Sequence, residues 1–324
     1  MASNYVCGNF TMGDGGGIGQ HGLADGGSII GNKVLFNQTF NQSSNPTGGG
    51  IFIGGAAAVG AVGNTAGTGS ISITQNVVHG NNAGAGVGGG IRLAQVNGLD
   101  VSRSPGNVNP WNTVTLTNNI ITDNVAGASA GGVSIVDALR VTAVNNTIAY
   151  NDSTATSQQA FSNAGDTSSN PLPAGLVSEV TSSGLLASMN ADLRNQNRFS
   201  NPSLINNVLW RNRAMCWAVT GPGPGQFGLF DPNSSGGCNT TSPAGTNPVY
   251  VDLAVLRVNR NGSGFFPVPD KPVKLKQGQD LYSLGNPLDL GFAISEGAYN
   301  GVVSRSFYDQ LIFSGPINSG MSGG

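Results

Sequence analysis

The sequence predicts an all-β protein built mainly as a right-handed parallel β-helix, a solenoid with long loop inserts and a small C-terminal β segment. Three observations predict it. The composition is rich in Gly and poor in charge, two short sequence blocks alternate along the chain, and the shortest interval between successive copies of one block, from Asn119 to Asn146, has the length of one solenoid coil.

The composition excludes several classes of protein. The 324-residue chain has 51 glycines, 9% charged residues and 38% hydrophobic residues, which is too apolar for a disordered chain. Val, Ile and Thr between Gly and Asn clusters favour strands. The net charge is −2 and no sustained basic run is present, so we expect no nucleic-acid partner. No apolar stretch has the length of a membrane span, so none is expected.

Both repeated blocks consist of residues that suit tight turns and a buried ladder. The first block is a run of small residues followed by an aliphatic residue. It occurs at Gly15–Ile18, Gly48–Ile51, Gly88–Ile91, Ala130–Val133 and, more weakly, Pro173–Leu176. The second block is Asn, any residue, an aliphatic residue, two residues and Asn. It occurs at Asn4–Asn9, Asn32–Asn37, Asn76–Asn81, Asn119–Asn124, Asn146–Asn151 and Asn207–Asn212.

Stacked coils would bury what a single coil cannot. We therefore predict one buried stack of the aliphatic residues that follow the first Asn of each block. These residues are Val6, Val34, Val78, Ile121, Ile148 and Leu209. Gly reaches positive φ without penalty and Asn side chains can bond from coil to coil, so both residue types are interpreted as scaffold. Longer intervals contain inserts, at 54–69, 97–112 and 153–173, that are predicted to be loops.

The repeats divide the chain into three predicted segments. Residues 1–214 form the coils, 215–300 a Cys-bracketed loop and a C-terminal β segment or cap, and 301–324 a loose tail. Strands are expected near 250–258 and 272–275. Cys216 and Cys238 bracket a Pro/Gly-rich loop, so we predict a disulfide between them and a free Cys7. Such a bond favours an oxidising compartment.

One stretch of coil carries a family resemblance. The segment from Ser70 to Asn81, with the Gly-Gly-Gly-Ile run after it, resembles the coils of the pectate-lyase-like right-handed parallel β-helix superfamily and of polymorphic outer-membrane protein repeats. The resemblance covers roughly residues 1–214. It implies a secreted or cell-surface protein, but that superfamily includes lyases, hydrolases and adhesins, so it does not select an activity.

Two outward rows hold the candidate site residues. The Gly blocks place Arg92, Asp137, Glu179, His21 and Phe52 on one surface, where a polysaccharide would bind and Phe52 would stack on a sugar ring. The alternative interpretation is a plain solvent-facing surface.

The Asn blocks align the second row, which includes Asp123, Tyr150 and Arg211. Asp123 and Asp152 lie on consecutive coils, where a carboxylate pair would suit an inverting glycoside hydrolase. The candidate catalytic residues are thus Arg92, Asp137, Glu179, Asp123 and Asp152, and the candidate binding residues are Phe52, Arg92, Tyr150 and His21.

Two functions follow from these patterns. The first is an extracellular structural or adhesive β-helix module, a fragment or self-stacking unit, since the first Asn block begins as early as Asn4. The alternative is a polysaccharide lyase or glycoside hydrolase acting on an acidic polysaccharide, so enzymatic activity stays open. Polysaccharide or neighbouring copies of the chain are the expected partners. No cofactor or metal is expected, except calcium if the protein is a lyase.

Overall fold

The computed structural model describes residues 1–55, 65–163, 165–221, 225–254, 276–277, 279–285, 293–303 and 310–314. The chain divides into two compact units, Met1–Leu256 and Arg257–Gly324. The predicted segments 1–214, 215–300 and 301–324 divide the chain elsewhere and stay predictions.

The first unit consists mainly of coils whose strands stack into four parallel sheets. Two of these sheets carry the Asn blocks and the turns that follow them. The Asn-block sheet contains β1 (Tyr5–Cys7), β5 (Lys33–Leu35), β9 (Val77–His79), β13 (Ile120–Thr122), β17 (Thr147–Ala149) and β21 (Val208–Trp210). The short-strand sheet contains β2 (Phe10–Thr11), β6 (Gln38–Thr39), β10 (Asn82–Ala83), β14 (Val125–Ala126), β18 (Asp152–Ser153), β22 (Arg213–Ala214) and, antiparallel, β26 (Val249–Tyr250).

The other two parallel sheets complete each coil. The Gly-block sheet contains β3 (Ile18–His21), β7 (Ile51–Gly54), β11 (Ile91–Ala94), β15 (Val133–Val136), β19 (Leu176–Ser178) and β27 (Leu253–Ala254). The fourth sheet contains β4 (Gly27–Ile30), β8 (Ile71–Thr74), β12 (Val114–Thr117), β16 (Val141–Val144) and β20 (Ser203–Ile205). The predicted all-β, parallel solenoid fold is confirmed.

Inserts leave the coils and carry the short helices. The predicted insert 97–112 contains α1 (Leu99–Arg103), and 153–173 contains a 3₁₀ helix at Gln158–Ala160. A further insert holds α2 (Ser183–Ala187) and α3 (Ala191–Gln196), and its Leu185 and Met189 pack with Trp111 in a small apolar cluster. The predicted insert 54–69 lies partly outside the described residues.

Aliphatic side chains fill the solenoid interior. The strand register places the six residues of the predicted stack side by side, from Val6 to Leu209. Val34, Val78, Ile121 and Ile148 are at most 1% exposed, while the two end members, Val6 and Leu209, are partly buried and each pairs with one strand of this sheet among the described residues. The predicted stack is confirmed, and burial of each inner side chain is worth roughly 1.5–3 kcal/mol.

Two ladders of Asn side chains run along the stack at the two ends of the Asn blocks. Each Asn donates its backbone N–H and its side-chain amide to the Oδ1 of the Asn in the next coil. Asn81, for example, has both nitrogens 2.9 Å from Asn124 Oδ1, and its Nδ2 also lies 2.9 Å from Val34 O. The last rung is an acid, because Asn212 donates both groups to Asp252 Oδ1. The predicted scaffold role of these Asn residues is confirmed.

The Gly block is required by close packing of neighbouring coils. A Cβ atom on Gly90 would lie 2.7 Å from Gly132 O and 3.0 Å from Asn124 Nδ2. Any side chain there would push the coils apart and break the ladder contacts, so small residues recur at this place.

The Cys-bracketed segment forms a sheet, where the sequence predicted a loop. Strands β23 (Cys216–Val219), β24 (Phe227–Pro232) and β25 (Cys238–Pro243) pair antiparallel. Cys216 and Cys238 form a disulfide with their Cα atoms 5.7 Å apart, and Cys7 is free and exposed. The predicted disulfide is confirmed. Sequence periodicity missed these strands because this insert does not follow the coil repeat.

In the second unit, β28 (Asp280–Gly285), β29 (Ala293–Val303) and β30 (Gln310–Ser314) form an antiparallel sheet. Of the strands predicted near 250–258 and 272–275, residues 255–275 lie outside the described residues.

In the first coil, Tyr5 and Phe10 are more than 60% exposed. The expectation that neighbouring copies of the chain stack on this coil stays a prediction.

The ladder can be tested at Asn124, which is fully buried. Asn124→Ala would leave the Asn81 amide, Val78 O and Asn151 Oδ1 short of partners. Since each buried group without a partner costs about 1–3 kcal/mol, we expect a loss of about 3 kcal/mol in the free energy of unfolding, measured by urea denaturation. Thr115→Ala, on an exposed position of β12, should change it by less than about 0.5 kcal/mol. Equal effects would show that the ladder adds no stability.

The disulfide closes a loop with a sequence separation of 22 residues. Cys216→Ser should lower the free energy of unfolding by about 3 kcal/mol, because the unfolded chain regains the entropy of that loop. Cys7→Ser is the matched control and should have little effect. An unfolding midpoint of the wild-type protein that does not change on full reduction would contradict this prediction.

Candidate functional site

The first predicted row lies on the outer face of the Gly-block sheet, where Phe52, Arg92 and Ser134 occupy equivalent positions on adjacent strands. The side chains point away from the aliphatic core, yet Phe52 is 7% and Arg92 8% exposed. The insert after β19 contacts this outer face, because the backbone N–H of Ser182 donates a hydrogen bond to Asp137 Oδ1 at 2.7 Å. The expectation of a solvent-facing surface is therefore wrong for Phe52, Arg92 and Asp137, because outward from the coil is not outward from the protein.

Arg92 and Glu179 form a salt bridge within this row. Ser134 Oγ donates to Glu179 Oε1 at 2.5 Å, and the Arg92 guanidinium donates to both Ser134 Oγ and Glu179. The ion pair satisfies its own charges, and Ser134 is fully buried. This arrangement stabilises the covered face and engages the Glu179 carboxylate and the Ser134 hydroxyl with each other and with Arg92.

The remaining three residues of this row, His21, Phe52 and Asp137, make other contacts. His21 stacks on the Phe52 ring with their centroids 4.7 Å apart. Asp137 is 5% exposed and is held by the backbone of the insert through Ser182. The structure thus pairs Arg92 with Glu179 and His21 with Phe52 but does not gather all of them at one open site.

The second predicted row lies at the turn between the Asn-block sheet and the short-strand sheet. Every member of this row has a left-handed backbone, with φ between 53° and 68°. Its members are Gly8, Phe36, Gly80, Asp123, Tyr150 and Arg211. Only Gly adopts this conformation freely, so the larger side chains are present at a conformational cost.

The later members of this row line a cleft of about 300 Å³, here named the turn cleft. Its walls are Asp123, Tyr150, Asp152, Arg211, Arg213 and Tyr250. Predicted candidates Asp123, Asp152 and Tyr150 are therefore brought together on one open surface. Tyr250 arrives from β26, which pairs antiparallel with β22, and so it comes from outside the coil repeat.

Two acids of the turn cleft already have partners. Arg213 binds Asp152 in a bidentate salt bridge, with Nε 2.8 Å from Oδ1 and Nη2 2.5 Å from Oδ2. This hydrogen bonding raises the pKa of Arg213, against the effect of its partial burial. Asp123 Oδ2 lies 3.2 Å from His79 Nδ1, and Thr122 Oγ1 lies 3.1 Å from the same nitrogen. The two carboxylates are thus separately engaged.

His79 and Asp123 form the acid and base half of a familiar catalytic arrangement. In Ser-His-Asp sites the acid contacts Nδ1 and orients the imidazole so that Nε2 faces the nucleophile. The His79 side chain is 37% exposed, and the Phe36 ring meets its imidazole edge to face at 5.3 Å. The structure thus shows a carboxylate and an imidazole in contact, which are two of the three groups of such a site.

Arg211 is the cation of the turn cleft that has no acid partner within the described part of the chain. Its guanidinium carbon lies 5.5 Å from the centroid of Trp210 and 5.9 Å from that of Tyr250. Both rings are exposed by 40% or more. Alignment of the Asn blocks with one another identified Arg211. It did not predict the contact of Arg211 with Trp210 and Tyr250, because the position of Tyr250 depends on an antiparallel strand outside the repeat.

The described residues hold no group of three or more His, Cys, Asp or Glu side chains placed to bind a metal ion. No helix in the described ranges has the length and apolar character needed to cross a membrane.

Comparison with known proteins gives one family finding. The sequence model of a family described as "Trypsin-like peptidase domain" matches residues 225–324, fewer than half of the chain. No curated protein matches the chain. No solved structure matches it either.

The family match corrects the resemblance to the pectate-lyase-like superfamily and to polymorphic outer-membrane protein repeats. It also corrects both expected functions, the adhesive module and the polysaccharide lyase or hydrolase. The repeats misled because Gly, Asn and aliphatic residues recur wherever coils must stack, whatever the protein does. The resemblance therefore reported the scaffold, while the matched segment begins in the first unit and extends beyond it.

The described part of the matched segment holds two acids with structural roles. Asp252 ends the Asn ladder. Asp231 is 2% exposed and accepts hydrogen bonds from Ser242 Oγ, Gly245 N and Asn247 N at 2.7–3.0 Å. Burial opposes the charge of Asp231, but these donors together outweigh it and lower its pKa.

One pattern of this segment lies within the stretch that was predicted to be a tail. In Ser-His-Asp peptidases the backbone N–H groups of the nucleophilic serine and of a glycine two residues before it bind the oxyanion. Within 225–324, Ser322 is the serine with a glycine at that place, Gly320. We interpreted Ser319–Gly324 as a loose tail because glycine and serine are also typical of chain ends. The chain's histidines, His21 and His79, both precede the matched segment.

Asp231 predicts a pH dependence of stability. Because its pKa is lower in the folded state, its ionised form stabilises the fold above the ordinary pKa of an aspartate. This contribution should disappear as the pH falls through the folded pKa. Asp231→Asn should therefore lower the melting temperature at pH 7 and have a smaller effect at pH 3. The exposed Asp192→Asn is the control, and equal losses at both pH values would contradict the prediction.

Proposed function

We propose that this protein is a serine peptidase whose trypsin-like segment, residues 225–324, follows a parallel β-helix. The observation that carries the proposal is the family match over those residues. The Gly320-Met321-Ser322 sequence supports it, since its spacing matches that of a nucleophilic serine and of the glycine that contributes to an oxyanion hole in such peptidases.

The reaction would be acyl transfer to Ser322. The serine hydroxyl attacks the carbonyl carbon of a peptide bond, a base accepts its proton, and the amine leaves with a proton; water then releases the acyl group. Ser322 is the residue that we assign as the nucleophile.

A second candidate function is polypeptide binding without cleavage. It is favoured by one observation, namely that residues 225–324 contain no histidine. A trypsin-like segment without its base would keep the ability to bind substrate, but it would lose most of the rate of acylation.

A fluorophosphonate probe distinguishes the two candidates. It reacts with an activated serine, forming an O–P bond and releasing fluoride. We expect mass spectrometry to locate the fluorophosphonate group on Ser322. We also expect the protein to hydrolyse casein. Ser322→Ala should abolish labelling and lower hydrolysis by about a thousandfold or more, whereas Ser319→Ala should preserve both.

Two outcomes would count against the peptidase. If the Ser322→Ala variant is still labelled, Ser322 is not the nucleophile. No labelling at all, together with binding of a reduced, unfolded polypeptide, would select the second candidate.

We also propose a secreted or cell-surface location, supported by the Cys216–Cys238 disulfide, which persists in oxidising compartments. Neighbouring copies of the chain stay proposed partners, supported by the exposed Tyr5 and Phe10 of the first coil.

A further inference from the structure

We propose that the turn cleft binds a carboxylate group of a polypeptide through Arg211. The class of ligand, a polypeptide, rests on the proposed peptidase function; the carboxylate subsite rests on the geometry of the cleft alone.

The first support is the state of the Arg211 side chain. Its guanidinium lies near the rings of both Trp210 and Tyr250, at 5.5 and 5.9 Å. A guanidinium stacked on aromatic faces keeps the N–H groups at its edge available, and their fork matches the two oxygens of a carboxylate. Arg211 has no salt bridge within the described residues, so this charge lacks a partner.

Arg213 lies in the same cleft and, unlike Arg211, forms a salt bridge with an acidic residue of the chain. It is held in a bidentate pair by Asp152, so its charge is already matched. Of these two arginines, Arg213 is paired with an acid of the chain, whereas Arg211 lies near two exposed aromatic rings. A ligand anion would therefore bind at Arg211.

The second support is the backbone. Arg211 has φ of 53°, and the equivalent residues Gly8 and Gly80 show that glycine fits this position. Keeping an arginine there costs stability, and nothing within the described part of the coil stack requires its charge. Strained positions of this kind are concentrated at binding and catalytic sites.

The third support is the sequence of side chains along the cleft. Asp123, Tyr150 and Arg211 lie on consecutive coils, and coils are about 4.8 Å apart. Asp123 and Arg211 are thus about 10 Å apart along the stack, the length of about three extended residues. A carboxylate at Arg211 would place a residue about three positions away near Asp123, where a basic side chain is favoured and an acidic one is repelled.

The test is calorimetric titration of the full chain with alanine-based hexapeptides. One is acetylated, has a free C-terminal carboxylate and has lysine three residues before it. A second is amidated and carries one internal glutamate, and a third is amidated without an acid. We expect at least one carboxylate peptide to bind tenfold or more tightly than the third, and the first two peptides identify the source of the carboxylate.

Variants then assign the binding to Arg211. Arg211→Gln should lower the affinity at least tenfold, and Arg211→Lys should lower it less because the charge remains. Arg211→Gly should also lose binding while its melting temperature stays near that of the wild type, since glycine suits this backbone. Arg103→Gln, an exposed arginine on α1, is the matched control and should bind normally.

Three results would overturn the proposal: equal binding of all three peptides, normal binding by Arg211→Gln, or binding of a uronic acid oligosaccharide with no peptide binding. Serine labelling is measured without peptide on the same preparation. Its failure would therefore count against the peptidase and leave the carboxylate result standing.

Discussion

The hydrogen bonds of the Asn ladders are the constraint on which the rest of the first unit depends. Each buried amide joins its neighbour in the next coil and also binds a backbone carbonyl, as Asn124 does with Asn151 and Val78. A buried amide without these partners would be costly, so the ladders fix the register between coils. Because the side-chain period of a strand is two, that register also decides which residues enter the aliphatic stack.

The direction of the ladder has a consequence at its end. In the ladder that runs from Asn9 to Asn212, each Asn donates its backbone N–H and its side-chain amide to an oxygen in the next coil, so the last rung needs only an acceptor. Asp252 supplies it, because a carboxylate accepts both donors of Asn212 without having to donate onward. This residue belongs to the segment that matches the trypsin-like family. The matched sequence therefore begins inside the β-helix unit and ends its ladder.

The two candidate surfaces show how the same coil pattern produces opposite environments. On the Gly-block sheet, inserts cover the outer face, and Arg92 is closed by Glu179 and Ser134. At the turn cleft, Arg211 lies near two exposed aromatic rings and forms no salt bridge with any of the described acidic residues. Both arginines occupy positions of the coil repeat, and alignment of the coils with one another identifies the two positions equally well. Only the inserts and the antiparallel strand β26 separate a structural ion pair from an available charge.

The sequence by itself determined the parallel solenoid, the aliphatic stack from Val6 to Leu209, the Asn ladders and the Cys216–Cys238 disulfide. It did so because stacked coils impose the same packing and hydrogen bonding on each repeat, and this constraint is visible as a period. The tertiary structure alone decided the burial of Phe52 and Arg92 and the closure of the turn cleft by Tyr250. Those depend on inserts and on a strand that obey no period, so their contacts arise between residues whose spacing in the chain carries no signal.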